Sequence, residues 1–439
     1  MNLQQELDLP FPLRPYQEEG FNFLKNSQRA LLGDDMGLGK TVQAIVALKE
    51  AYEDKGFFRV LIVVPNPLIT NWLAELSKWF ENSSVQVLKG DLFDRTAQLK
   101  RSKGFILCSY EQMRASFIRN HLIPEYEIVI FDEAQRVKNS SSATHLAAKR
   151  ISKKKMWMLS GTPLENRIED IISIFSILKW NTIQSGNSRV EITNSIAPYL
   201  LRRLKTDVLD ELPELIEENV YINMTGKQKI RYDNTFNKKD SLDLNQSSNV
   251  LALITELKKI CNYDDESNES GKLNHLKEIL DELNRKKEKV IVFSQYVKTL
   301  EYIKQNLNQN AIMYHGGMKT VEKDNVLKEF KDSKNPEILL MSLKAGGVGL
   351  NLQEASTVIL FDRWWNPAVE SQAIARAHRM GNKKIVHAIK FVTPDSIETR
   401  ILQLLHEKEE LFEDVIEGAV DKRQEFILRN LLEKPENGV

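Results

Sequence analysis

Short apolar runs recur along this chain, and each is followed by a stretch with the three-to-four-residue spacing of a helix. Runs at 60–64, 105–109, 128–132 and 156–160 fall in the first half, and runs at 290–294, 311–315, 338–342, 357–361 and 386–391 in the second. Strands covered on both faces read as continuous apolar runs, and helical crossovers join parallel neighbours. The pattern predicts an α/β chain with two open parallel sheets, one in each half. The stretch 170–289 reads as mostly helical, with polar interruptions at 237–249 and at 264–271, the latter a point of flexibility. Near the end, Ile397, Ile401, Leu404, Leu405, Phe412, Val415 and Ile416 recur at helical spacing, which predicts a packed C-terminal helix.

Composition narrows the function classes. The 439 residues carry 61 Lys plus Arg against 61 Asp plus Glu, so any binding to nucleic acid has to be local rather than driven by bulk basicity. No apolar run reaches the roughly 18 residues of a membrane span. The first ten residues are polar and acidic, which speaks against a secretory or transit peptide. Two distant cysteines, Cys108 and Cys261, leave no disulfide framework, zinc ribbon or iron–sulfur site. The expectation is a cytoplasmic, multidomain protein without membrane or zinc.

Residues 33–41 read GDDMGLGKT ahead of a helical pattern. A glycine-rich turn at a helix N-terminus aims backbone N–H groups at a phosphate. Gly37 and Gly39 allow close approach around Leu38, Lys40 reaches the β- and γ-phosphates, and Thr41 holds Mg²⁺. Asp34 stands where the strict loop pattern has Gly, and GLGKT alone could be a tight strand–helix turn. About ninety residues on, the apolar run 128–131 ends in Asp132 and Glu133. At the carboxyl end of a buried strand, Asp132 is placed to hold Mg²⁺ and Glu133 to deprotonate the attacking water. Together the two motifs point to hydrolysis of a nucleoside triphosphate.

In the second half, Gln372, Arg376 and Arg379 are spaced four and three apart, so on a helix they share one face. A solvated face is one reading. The other is an arginine finger for the charge that develops on a transferring phosphoryl group, completed when two domains close.

With these residues in view, the sequence resembles the Snf2 family of double-stranded DNA translocases within helicase superfamily 2, and its compact bacterial or phage members in particular. The resemblance runs from about residue 13 to 417. It is carried in family order by LRPYQ (13–17), GDDMGLGKT, VVPNPLITNW (63–72), SYEQ (109–112), DEAQ (132–135) and SGTPLENR (160–167). LRRLKTDVLDELPE (201–214) and LKKICNYD (257–264) resemble blocks that generic helicases lack. VIVFSQY (290–296), YHGG (314–317), LLMSLKAGGVGLNLQEA (339–355), RWWNP (363–367) and QAIARAHRMG (372–381) follow. The departures are Gln135 where most relatives have His, Ala375 for Gly, and Met380 and Asn382 in the last motif.

The resemblance implies two tandem RecA-like domains: an ATP-binding domain at 1–200, helical protrusions at 201–272, a second RecA-like domain at 273–395 and a brace helix with tail at 396–439. It leaves little room for a further module and suggests a monomer. Gln17 would read the adenine, Gln135 would serve beside Glu133, and Gly349 would join Arg376 and Arg379 at the nucleotide. Pro65, Ser109, Tyr110, Ser342, Gly346, Gly347, Asn351 and Trp365 would face double-stranded DNA. Basic patches at 149–155, at Arg202, Arg203 and Lys205, and at 285–289 are either further phosphate contacts or solvated surface. The implied activity is ATP-driven movement on duplex DNA that displaces a bound protein client. A strand-separating helicase and an inactive DNA-binding scaffold are the competing readings.

Overall fold

The computed structural model describes residues 3–53, 59–80, 84–101, 103–118, 123–161, 168–179, 182–183, 189–208, 213–241, 247–333, 337–346, 350, 352–364, 367–379 and 384–403. The chain divides into two units, Met1–Glu211 and Leu212–Val439.

The first unit holds β1 (Arg29–Leu32), β2 (Arg59–Val64), β3 (Val85–Val87), β4 (Gly104–Ser109), β5 (Tyr126–Asp132), β6 (Lys153–Leu159) and β7 (Leu200–Leu201). They form one sheet in the order β3-β4-β2-β5-β6-β1-β7, with every pairing parallel. The second unit holds β8 (Leu215–Tyr221), β9 (Val290–Ser294), β10 (Ala311–Tyr314), β11 (Ile338–Ser342), β12 (Thr357–Leu360) and β13 (Val386–Val392). Their order is β10-β11-β9-β12-β13-β8, again all parallel. Read strand by strand, the second sheet repeats the first without β7. Two parallel sheets covered by helices are an α/β architecture of tandem RecA-like type.

Burial explains which strands the sequence discloses. All six residues of β2 are buried, because helices cover both faces of a central parallel strand. All nine apolar runs are strands. Four further strands carry no such run. β1 has only four residues, β3 three and β7 two. β8 is an edge strand whose Glu217 and Glu218 face solvent, so its LIEENVY lacks a continuous apolar signature. It lies inside the segment whose composition predicts helix.

That segment also holds β7, and most of its other described residues are helical, including Gly226–Asn237, Ser247–Asn262 and Gly271–Arg285. The polar stretch after 263 is a bonded turn rather than a loose loop. Asp264 accepts from the N–H groups of Glu266 and Ser267, both at 3.2 Å, and Arg231 reaches it at 2.8 Å. At the C-terminal side, Ile397 and Ile401 are fully buried against Tyr232, Phe236 and Leu253. The predicted helical positions from Leu404 to Ile416 lie outside the described residues.

Candidate nucleotide site

The loops after β1, β5 and β6 leave the same end of the first sheet, since the three strands are neighbours in the order β5-β6-β1. The loop after β1 carries GDDMGLGKT. Gly37 and Gly39 have φ of 92° and 75°, which side-chain-bearing residues rarely adopt. A Cβ on Gly39 would also lie 2.5 Å from Gln17 Nε2. The glycines thus let the loop wrap tightly before the helix Lys40–Glu53, whose first N–H groups have no partner within the helix.

Lys40 Nζ donates to the carbonyls of Asp34 at 2.6 Å and Asp35 at 3.1 Å. Burial lowers its pKa, while Glu133, Asp34, Asp132 and Asp35 act in the opposite direction. Gln17 stands in the first turn of the helix Pro15–Asn26. Its Oε1 accepts from Arg14 N at 3.1 Å and its Nε2 reaches Leu38 O at 3.4 Å, so it is tied to the loop. Thr41 is half-buried in the first helical turn.

β5 ends at Asp132, which is 7 % exposed. Trp72 Nε1 donates to its Oδ2 at 2.7 Å and Glu133 N to its Oδ1 at 3.0 Å. Burial and the neighbouring Glu133 push its carboxyl up to about 6. The carboxylate is therefore poorly compensated by protein alone. A hard divalent cation fits this donor set, because Mg²⁺ is held by one or two carboxylates together with phosphate oxygens. Glu133 adopts a left-handed backbone, φ 53°, a conformation that costs about 1 kcal/mol or more in a non-glycine residue. Gln135 Nε2 holds Glu133 Oε2 at 2.6 Å, and Ser160 Oγ, after β6, donates to Gln135 Oε1 at 2.7 Å. Gln135 thus joins the acid to the loop after β6.

In the second unit the chemistry-bearing arginines do not lie on a helix. The helix Pro367–Ile374 stops before them, and residues 375–379 wind through turns. There Arg376 N donates to Ala373 O at 3.2 Å and Ala377 N to Ile374 O at 3.1 Å, the three-residue spacing of turns, and Arg376 O accepts from Leu352 N at 3.0 Å. Arg376 is 2 % exposed, and burial lowers the Arg379 pKa. Arg379 Nε is buried with no hydrogen-bond partner among the described residues.

The SNF2-related domain matches residues 16–266 and the helicase conserved C-terminal domain residues 271–381. The chain belongs to the SNF2-related family. An uncharacterized ATP-dependent helicase of Mycoplasma genitalium is 34% identical over 435 residues, which cover 91% of this chain and 42% of that protein. The putative ATP-dependent helicase/translocase YwqA of Bacillus subtilis is 32% identical over 457 residues, covering 92% and 49%. The SWI2/SNF2 ATPase core of Sulfolobus solfataricus in complex with dsDNA is similar at 29% identity, with 96% of this chain and 95% of that chain covered and a TM-score of 0.45. The chain spans 42% and 49% of the length of the two relatives.

Several residues of this SNF2-related chain that the family pattern assigns to DNA have inward-facing side chains. Ser109 caps the helix Tyr110–Phe117 by accepting from Gln112 N at 3.2 Å. Tyr110 is 3 % exposed and donates to Asp132 O at 2.7 Å, so its hydroxyl is turned toward the strand end. Pro65 is buried at the start of the turn Asn66–Leu68, and Ser342 is buried at the end of β11. Gly346 ends the helix Leu343–Gly346. Gly347, Gly349, Asn351 and Trp365 lie outside the described residues.

The basic patches are largely bonded to their own unit. Lys155 reaches Lys25 O at 2.8 Å and Lys286 reaches Glu282 at 2.6 Å. Arg203, grouped by sequence with Arg202 as a surface patch, is instead 8 % exposed and paired with Asp34. Sequence reasoning missed this pair and the Trp72–Asp132 bond. The Asp34 departure from the generic loop was the one available signal. Among the described residues, no helix is long and apolar enough to cross a membrane.

Proposed function

We propose that this chain is a DNA-dependent ATPase that uses ATP and Mg²⁺ to move along double-stranded DNA and displace or remodel proteins bound there, without obligatory strand separation. The observation that carries the reading is the convergence at one sheet end of Lys40 on the glycine loop, Asp132 at the end of β5, and Glu133 held by Gln135. The similarity to the Bacillus subtilis relative, a putative ATP-dependent helicase/translocase, supports it.

In this reading the Asp34 and Asp35 carbonyls hold the Lys40 ammonium at the loop, and its remaining N–H donates to the β- and γ-phosphates. Gln17 contacts the adenine beside Leu38, and the glycine loop supplies N–H donors to the phosphates. Asp132 and Thr41 would hold Mg²⁺, which neutralises charge on the phosphates. Glu133, oriented by Gln135, takes a proton from the attacking water. Arg376, Arg379 and Gly349 are proposed as further residues that act on the nucleotide. Pro65, Ser109, Tyr110, Ser342, Gly346, Gly347, Asn351 and Trp365 are proposed to follow the DNA backbone.

The deciding experiment measures ATP turnover with and without duplex beside displacement of a triplex third strand and opening of a forked duplex. A translocase shows duplex-stimulated turnover and third-strand release, and leaves the fork paired. Fork opening would favour a strand-separating helicase. Turnover indifferent to duplex would sink the coupling to DNA.

A further inference from the structure

The phosphate loop is gripped from behind by the segment that follows β7. Arg203 Nε donates to Asp34 Oδ1 at 2.9 Å and its Nη2 to Asp34 Oδ2 at 2.5 Å, a bidentate fork on a fully buried carboxylate. The other contacts of the guanidinium are Tyr16 O, Glu19 Oε2 at 3.2 Å and Gln43 Oε1 at 3.0 Å. Gln43 in turn donates to Asp34 Oδ2 at 3.2 Å and to Leu38 O at 3.1 Å. A Cβ on Gly20 would lie 1.7 Å from Gln43 Oε1 and 2.8 Å from Arg203 Nη2, so the cluster occupies the space that a bare glycine leaves.

The main chain extends the grip. Gly33 N donates to Leu201 O at 2.7 Å, Asp35 N to Arg203 O at 3.0 Å, and Lys205 N to Asp35 Oδ2 at 3.1 Å. The carbonyls of the two clamped residues, Asp34 and Asp35, are the ones that receive Lys40 Nζ. One path therefore runs from the guanidinium, through the side chain and backbone of the loop, to the ammonium group assigned to the phosphates.

We propose that Arg203 is a positioning residue for nucleotide binding: by fixing Asp34 it sets the backbone of residues 34–35 and hence the place of the Lys40 ammonium. This role rests on the ATP reading above. It also assigns a purpose to Asp34 where generic phosphate loops have glycine, since Asp34 is the receiving half of the fork. Lysine could supply charge at 203 but not two parallel N–H donors in one plane, so the fork is what the function needs.

The test uses the full chain and a fluorescent ADP analogue, with ATP turnover measured at saturating duplex. Arg203→Lys and Asp34→Asn should each weaken binding of the analogue and raise KM for ATP by about tenfold, a loss comparable to one charge-assisted hydrogen bond. Both should leave kcat within about threefold of wild type. Leu99→Ala, a core change in the same unit, serves as the control for lost stability. If it lowers the melting temperature as much as Arg203→Lys and raises KM equally, the role is overturned, as it is if Arg203→Lys binds nucleotide like wild type.

Should Arg203→Lys fail to fold, Asp34→Asn alone and the double variant Asp34→Asn with Arg203→Gln decide. A double variant no weaker in binding than Asp34→Asn supports the shared path, and one about tenfold weaker again overturns it. A wild type that binds no nucleotide would overturn the ATP reading and this role together. A wild type that binds, with variants binding equally well, would remove the role alone.

Discussion

The two sheets repeat one strand order and use it differently. In β3-β4-β2-β5-β6-β1 and β10-β11-β9-β12-β13-β8, β5 corresponds to β12 and β1 to β8. β5 ends on a buried aspartate, Asp132, and β12 is followed by another, Asp362. Asp362, fully buried, accepts from Ser294 Oγ, from Gln295 N at 3.0 Å and from Asn262 Nδ2 at 3.0 Å. Asp132 receives two donors, and its pKa is pushed up to about 6. After β1 comes the glycine loop, whereas after β8 a short link leads to Thr225, which caps a helix by accepting from Gln228 N at 3.3 Å. The scaffold is the same, and the difference lies in which buried charges the protein satisfies itself. The second unit gives its carboxylate three uncharged protein donors, and the first gives Asp132 two.

The largest effect expected from this contrast is on turnover. Glu133→Gln should keep nucleotide binding and lower kcat by about 10²–10⁴, the range for losing a general base. Steady-state hydrolysis beside analogue binding measures it, and near-normal turnover would reject Glu133 as the group that activates water. Asp362→Asn, at the corresponding strand end of the second unit, should by contrast leave nucleotide affinity within about twofold, because its oxygens serve protein donors.

The next effect is on stability, and it should fall in one unit. Lys272, 1 % exposed, reaches Glu398 Oε1 at 2.7 Å, Glu398 Oε2 at 2.8 Å and Phe361 O at 3.0 Å. Removing one partner of such a buried pair costs about 3–5 kcal/mol. Each unit carries one buried cysteine, and burial pushes both the Cys108 and the Cys261 thiol up to about 12. Both should alkylate slowly at pH 8 in the native chain. Lys272→Met should speed labelling of Cys261 and leave Cys108 unchanged. Equal acceleration at both would mean that the units open together.

Sequence shows the parts of this contrast that are written in consecutive residues. Asp132 and Glu133 end an apolar run, so their placement at a strand end follows from the pattern, whereas Lys40 is legible from its glycine-rich motif although β1 ahead of it carries no such run. The partners that complete them come from far along the chain. Trp72 lies 60 residues from Asp132 and Arg203 lies 169 residues from Asp34, and no periodicity connects such positions. The arginine turn departs from its helical spacing through tertiary structure as well. Helical spacing through 372–379 is real, but the backbone passes into three-residue turns after Ile374, and the Arg376 carbonyl is taken by Leu352 N from 24 residues away. β8 escaped because an edge strand can expose charge. Local chemistry was legible, while the tertiary bonds that tune it were not.

The smallest effect separates the corresponding strands β6 and β13 by pH. β13 opens on Val386, which is fully buried, whereas β6 opens on Lys153, whose Nζ donates to Ala148 O at 3.2 Å. Burial and the nearby Arg29 lower the Lys153 pKa to about 7. Unfolded lysine titrates near about 10.4, so between about pH 7 and 10 the unfolded state binds more protons than the folded one. Stability from this residue should therefore rise as pH increases through that window and be lost as pH falls toward 7. The slope is at most about 1.4 kcal/mol per pH unit, reduced by the exposed part of the side chain. Melting followed from pH 7 to 9 should rise by about 2–4 °C more in wild type than in Lys153→Met. Parallel curves would show that the ammonium stays fully charged, and would return residues 149–155 to the set of full positive charges available to a DNA phosphate.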